Sequence, residues 1–469
     1  MEERTMKKTL LFAAAAVLAL AACSKESPVK EESAIDASKI VFNIDVQNAD
    51  ATKGVKTAWE NGDDVYVFFE DNTSQCVRMT YDGTTWTYTD LAGGTTFEGL
   101  TLSASGKKLS AVYMPDLVCT TQPFYDTDKW TFGNVAGYYQ REEGVSYTVT
   151  SVGDVNTLNA TIILTAPANI SQIFIPDTEY AARGSGEEYV LTATHFIQFT
   201  FDGVAPGGAV SQGNIANGFP LPAFEGLLGG ETGLYFWGIL ESAGTYDFDF
   251  QLVKRNSSKK YAISSYSKSV TGKTVSGSFA AKLTGLTDNG NFVSLGYTGG
   301  PLWATGNLKL ALAGKIADPL EAGDYFMFGY TTTYNSSDTE YTGNEEPLST
   351  ERDAAYQANN AWRIPTFAQF DDLRSSSNTT TEWMTSWTTI GNENGGCLIT
   401  SKANGISLFF AAAGFYNSGS LSYAGDSGYC WASTGCAAGT CSNLYFYAGG
   451  INTLSYYRYY GCSVRPVKN

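Results

Sequence analysis

A single histidine, His195, stands in a chain of 469 residues, within the strand-like run Thr194, His195, Phe196, Ile197, Gln198, Phe199. One imidazole with no partner nearby supplies neither a histidine metal site nor the base of a Ser–His or Cys–His pair, so His195 reads as structural. Cysteine is the next candidate chemistry. Of 8 cysteines, Cys23 stands at the edge of an apolar leader and five come late: Cys397, Cys430, Cys436, Cys441 and Cys462. Their spacing is not that of a zinc site, and an odd, irregular set does not read as a disulfide framework, although export would permit disulfides. The carboxylate pairs Asp63–Asp64 and Asp371–Asp372 are adjacent in sequence. Neighbouring side chains point apart on a strand or helix, so these read as solvated surface rather than a glycosidase acid–base pair. No catalytic residue, metal or cofactor is expected, and the chain reads as a binding protein rather than an enzyme.

The segment from Gly428 to Arg465 offers chemistry of another kind. Tyr429, Trp431, Asn443, Leu444, Phe446, Arg458 and Arg465 look like a framework. The residues between them contain no Lys, Glu, Gln, Met or Trp, and all can be written by codons ending in a pyrimidine. Tyrosine brings a large contact area and a hydroxyl at little rotamer cost, with Ser and Gly adapting around it. The expected binding face is therefore Cys430, Ala432, Gly435, Cys436, Tyr445, Tyr447, Ser455, Tyr456, Tyr457, Tyr459, Tyr460 and Cys462. Tyr429, Leu444 and Phe446 are expected to pack inward, and Arg458 to point to the core or pair there. This restricted composition resembles the variable region of proteins diversified by a retroelement, in which template adenines are randomised. A Tyr- and Gly-rich loop fixed by ordinary selection remains the alternative.

The ends and composition place such a face outside the cell. Met6, Lys7 and Lys8 precede an apolar run from Leu10 to Leu20, and Leu20, Ala21, Ala22, Cys23 follow. A basic start, an apolar stretch too short to span a bilayer and small residues at a cleavage point make a secretory signal over 1–22. The Cys after Leu-Ala-Ala resembles the bacterial lipobox, which implies lipid on Cys23. Residues 23–38 are polar and charged and cannot bury a core, so they read as a flexible tether. Ser24, where the resemblance would put Asp for inner-membrane retention, favours an outer-membrane, lipid-anchored protein at the cell surface. The net charge of -17 argues against nucleic acid or an anionic lipid surface as partner. The partner expected is a protein or glycan at the cell exterior.

Three blocks must position the face. Short alternating runs rich in Gly, Thr, Ser and Tyr predict a mainly β fold. In the first block, 39–152, Phe42, Ile44 and Val46 alternate with polar residues. Trp59 and a Gly62–Asp63 turn then feed the strand from Val65 to Phe69. With Leu109 to Pro115, this resembles the first domain of fimbrillin-like pilins and adhesins. The second block, 153–298, reads as a second sandwich on its many short strands and turns. Gly299, Gly300 and Pro301 read as a linker. The third block, 302–469, holds a capping box at Thr366–Gln369, with Phe367, Phe370 and Leu373 on one helical face. Trp362-Arg363-Ile364-Pro365-Thr366 and the terminal Gly461 to Val467 resemble the C-type-lectin-like domain of formylglycine-generating enzymes and the major paralogous domain of gut bacteria. That resemblance implies an α+β head and raises a copper-binding cysteine pair, but the residues flanking Cys430, Cys436 and Cys441 do not match the enzymes' motif. The calcium motifs of sugar-binding lectins are also missing, since Glu346-Pro347 is followed by Leu348. The leading expectation is an adhesin-like lipoprotein with two pilin-like sandwiches and a ligand-binding lectin-like head. A pilus tip or accessory subunit is the alternative, and a formylglycine-type copper oxidase the third reading.

Overall fold

The computed structural model describes residues 40–48, 58–69, 72–90, 108–113, 140–152, 155–164, 170–198, 220–240, 242–343, 345–385 and 395–468. The fold is mainly β. The lipidation residue Cys23, the signal and the tether lie outside the described residues. The chain divides into two compact units, the second of which contains residues 166–469.

In the first unit a five-stranded sheet runs in the order Trp86–Asp90, Asn72–Tyr81, Asp64–Phe69, Lys108–Tyr113, Gln140–Ser146. A three-stranded sheet runs in the order Ile40–Asn48, Val155–Leu164, Thr148–Val152, the first pair parallel from Ile40↔Asn156 to Asn48↔Leu164. Val65, Val67, Val77, Met79, Leu109 and Ala111 of the larger sheet meet Leu158, Ile162 and Leu164 of the smaller in one core. Period-two alternation creates that inner face, since every second side chain of each strand points to it. Trp59, ahead of the Gly62 turn, packs edge-on to Trp86 and Tyr113, with ring centroids 5.1 Å apart in each case.

The second unit begins with two five-stranded sheets. One is ordered Leu221–Pro222, Glu187–Ala193, Gly244–Asn256, Ala262–Val275, Thr287–Gly290. The other centres on Glu231–Leu240 paired with Ile170–Pro176. Their facing side chains, among them Ile173, Ile175, Leu191, Phe236, Phe250 and Leu252, form its core.

The third block is built directly on the second of these blocks. Gly299 and Gly300 form the turn between Phe292–Ser294 and Leu302–Ala304, which pair antiparallel, so this Gly-Gly-Pro run is a hairpin turn and not a linker. Gln251 and Ser294 exchange two hydrogen bonds of 2.6 and 3.1 Å, Ser265 Oγ donates to the Phe292 carbonyl at 2.6 Å, and Thr305 Oγ1 donates to the Ile263 carbonyl at 2.9 Å. Val190, Val253 and Ala262 share a core with Trp303, Phe370, Leu373 and Phe410.

Three sheets and two described helices complete the block. Asp353 caps the helix Ala354–Ala358 by accepting from the Ala355 and Tyr356 amides, and also accepts from the Ile364 amide. Burial pushes its carboxyl above the usual carboxylate range while these amides pull it back. The capping box forms as expected at the start of Phe367–Arg374. Phe370 and Leu373 of this helix are buried, whereas Phe367 at its first position is exposed, with its amide accepted by Thr434 Oγ1. A position immediately after the N-cap leaves that ring short of the core, which corrects the expected three-residue face.

Candidate functional site

The segment singled out for binding folds as the last strands of a five-stranded sheet ordered Tyr325–Phe326, Cys462–Ser463, Ser427–Trp431, Thr440–Tyr447, Gly450–Tyr457. The final two form a hairpin in register from Thr440↔Tyr457 to Tyr447↔Gly450. Of the two hairpin strands, only Gly450–Tyr457 is at the edge of the sheet. The strand Thr440–Tyr447 is buried from Cys441 to Leu444 and again at Phe446. Gly428 makes room for Phe446: a Cβ there would come within 1.9 Å of its ring.

The framework side chains are anchored to backbone carbonyls. Trp431 Nε1 donates to the Phe326 carbonyl at 2.8 Å. Arg458 is 1% exposed, and its guanidinium donates to the carbonyls of Thr440, Tyr341, Gly343 and Ala437 at 2.6 to 3.2 Å. It therefore joins the loop around Tyr341 to the end of the loop that leads into the hairpin. Arg465, fully buried, donates to the Ala304 and Phe409 carbonyls and lies 4.1 Å from the centroid of the Phe410 ring. Burial lowers its pKa to about 10, still leaving it charged at neutral pH.

On this scaffold the tyrosines form a chain of ring contacts. Tyr447 stacks on Tyr445 (5.2 Å, 19°), Tyr445 meets Tyr429 at 5.1 Å, and Tyr429 meets Tyr456 at 5.0 Å. Tyr456 meets Tyr460 at 5.6 Å, Tyr460 meets Tyr459 at 4.8 Å, and Tyr459 stacks on Tyr457 (5.3 Å, 17°). Exposure rises toward the two ends, to 43% at Tyr447, 37% at Tyr459 and 52% at Tyr457. Tyr445, Tyr456 and Tyr460 are half-buried, Tyr429 is buried as expected, and Ser455 is exposed. Burial, reinforced by the Tyr459 hydroxyl, pushes Tyr460 up to about 12, and burial with the Tyr456 hydroxyl pushes Tyr429 up further. Tyr429 and Tyr460 therefore keep their hydroxyl protons at physiological pH.

Several expected face residues lie elsewhere. Cys430, Ala432 and Cys462 are 1%, 1% and 0% exposed, so they offer nothing to a ligand. Their strands are covered on both sides, which leaves no outward positions for period-two alternation to expose. Burial raises the Cys430 thiol to about 12 and the Cys462 thiol well above its usual range, so both stay protonated. Cys436 is half-buried and forms a disulfide with Cys441, a bridge that closes the loop ahead of the hairpin. Gly435 is exposed, but its φ of +81° and the 2.6 Å from a Cβ to Ser442 Oγ make it a turn position that a side chain would strain. What remains of the expected set as surface is Tyr445, Tyr447, Ser455, Tyr456, Tyr457, Tyr459 and Tyr460.

The structure adds neighbours that the sequence reading did not assign. Phe415 packs on Tyr429, Tyr456 and Tyr460 at 4.7 to 5.5 Å, and Tyr423, 59% exposed, stacks on Phe415. Phe415–Asn417 and Ser420–Ser422 are a small hairpin. Asn417-Ser418-Gly419 between Phe415-Tyr416 and the alternating Ser420-Leu421-Ser422 was the available signal for it. Beside this hairpin lies a cavity of about 400 Å³ bounded in part by Tyr325, Tyr334 and Tyr416.

No family model matches the chain, and no curated protein matches it. Among solved structures it aligns with a suggested cell adhesion protein from Bacteroides ovatus at 10% identity, covering 53% of this chain and 97% of the other, with a TM-score of 0.19. A fimbrial protein from Bacteroides ovatus aligns at 11% identity over 92% and 99% of the two chains, with a TM-score of 0.18. The fimbrial anchor protein Mfa2 from Porphyromonas gingivalis aligns at 11% identity over 48% and 81%, with a TM-score of 0.15. Likeness at these values carries no structural argument.

Proposed function

We propose that this chain is an adhesin-like lipoprotein of the bacterial outer membrane, lipid-anchored through Cys23, whose third block binds an extracellular protein or glycan through its tyrosine face. The observation that supports this reading is the contrast within one sheet. Arg458, Trp431, Leu444 and Phe446 are locked in the core, while Tyr447, Tyr457 and Tyr459 stand exposed among them in ring contact. Exposed aromatics on a rigid support lose little freedom on binding and desolvate a large area, the physical pattern of a recognition surface.

The same contrast supports diversification by a retroelement: Tyr447, Ser455, Tyr457 and Tyr459 are exposed positions where substitution should disturb the fold little. The buried restricted positions Cys430, Ala432 and Cys462 tolerate only small side chains, which sets a limit on what variation could be retained. The test is binding of fluorescent protein to cells and glycan-coated surfaces by the full chain and by Tyr457→Ala and Tyr447→Ala. Retained stability with lost capture supports the reading, and unchanged capture by both variants overturns it. At the DNA level, a near-repeat of the 428–465 coding segment differing at adenines, next to a reverse-transcriptase gene, is the matching expectation.

A further inference from the structure

The cavity beside the tyrosine face carries a charge that the face lacks. Asp324, Tyr325, Thr333, Tyr334, Ser336 and Tyr416 line its volume of about 400 Å³, and no lysine or arginine is among the described lining residues. Tyr334 stacks on Tyr416 (5.2 Å, 22°), and Tyr325 meets Tyr416 edge-on at 4.9 Å. Asp324 Oδ2 accepts from the Leu310 amide at 2.7 Å, and among the described residues the carboxylate has no ion pair. Lys309, close in sequence, is paired with Glu321 at 2.7 Å. The cavity adjoins the face directly: Tyr416 and Gly461 exchange backbone hydrogen bonds of 2.8 and 2.9 Å, one residue after Tyr460. Gly461 is needed for this approach, since a Cβ there would come within 2.6 Å of the Tyr334 ring.

We propose that this cavity receives a lysine or arginine side chain of a protein partner. Three aromatic rings and a carboxylate that has no ion pair among the described residues, though the Lys309 ammonium feels its charge, form a cation-binding environment in which ring quadrupole and carboxylate attract the same charge. The volume suits a guanidinium or ammonium with its stem, and the chain's net charge of -17 favours the approach of a basic partner. This rests on the reading of the neighbouring tyrosines as a recognition face and narrows their ligand from protein or glycan to a protein. Basic and aromatic anchors commonly pair at the centre of such interfaces.

Saturation-transfer NMR on the full chain tests it with N-acetyl-arginine amide, N-acetyl-lysine amide, the uncharged analogue N-acetyl-citrulline amide and methyl glycosides of neutral hexoses. The two cationic amides should saturate, with citrulline amide weaker by about tenfold or more. Asp324→Asn, which keeps an acceptor for the Leu310 amide, should weaken the arginine amide by about tenfold. Ser336→Trp, at an exposed loop position, should fill the mouth and abolish binding. Equal binding of citrulline and arginine amides, binding of glycosides but not of the cations, no binding of either cation, or indifference to Ser336→Trp would each overturn the proposal. Tyr457→Ala should leave arginine-amide binding unchanged, so failure of the tyrosine face and failure of the cavity are read separately.

Discussion

The two strands of the terminal hairpin have similar compositions and opposite fates. Thr440–Tyr447 lies inside its sheet and is buried at most of its positions, while Gly450–Tyr457 is the edge and is at most half-buried throughout. Tyrosine occurs in both. What a tyrosine does here is decided by its place in the sheet rather than by its type: Tyr429, one strand further in, is buried, and Tyr457 at the end of the edge strand is half exposed. An exposed tyrosine face is thus obtained by leaving one strand uncovered beside a strand that is buried at most of its positions.

The contrast is broken most strongly from the inner strand. Phe446→Ala removes a fully buried ring seated on Gly428 and packed edge-on to Phe410, and should destabilise the second unit by about 3–5 kcal/mol, read from chemical-denaturation midpoints. A loss under about 1 kcal/mol, of the size surface substitutions give, would show that the inner strand is not the anchor. Arg458→Met leaves four carbonyls without their donor in a buried site and should cost about 2–4 kcal/mol by the same measurement. Its melting curve should also show earlier loss of the Tyr341 loop, followed by proteolysis around that loop.

On the edge strand, Tyr457→Ala should change stability by no more than about 0.5 kcal/mol, yet weaken capture of a ligand by about 1–3 kcal/mol if it is an anchor. Equal stability losses from Tyr457→Ala and Phe446→Ala would erase the distinction between the strands. The smallest effect is one of pH. Tyr460 has its pKa raised to about 12 in the fold against 10 for the ordinary side chain. The folded form therefore holds its proton more tightly, the contribution is complete below pH 10, and it is lost as pH rises toward 12. Tyr460→Phe should flatten the fall in denaturation midpoint between pH 9.5 and 11.5, and an unchanged slope would place that proton elsewhere.

Local signals were readable from the sequence. The Thr366–Gln369 capping box, the strand after the Gly62 turn and the inward turn of Arg458, a lone cation among tyrosines, each depend on a few neighbouring residues. The signals that misled depend on what covers a strand. Cys430, Ala432 and Cys462 alternate with framework residues as surface positions do, but their sheet is packed on both faces, and period two carries no information there. Gly299-Gly300-Pro301 has the chemistry of any tight turn, and only pairing of Phe292–Ser294 with Leu302–Ala304 shows that the chain reverses instead of leaving. Phe415, Tyr416 and Tyr334 reach the site from distant segments, and no spacing within 428–465 encodes them.

The direct seating of the third block on the preceding sandwich, through Gln251–Ser294, Ser265–Phe292 and the shared core around Val253 and Phe370, has a mechanical consequence. A force applied at the tyrosine face strains a short stack of hydrogen bonds and packed side chains, not a slack connector. The terminal strand Val467–Lys468 lies between Leu302–Ala304 and Trp362–Arg363, so tension reaching it is shared by two neighbours at once. The face accordingly keeps its aim relative to the sandwich beneath it.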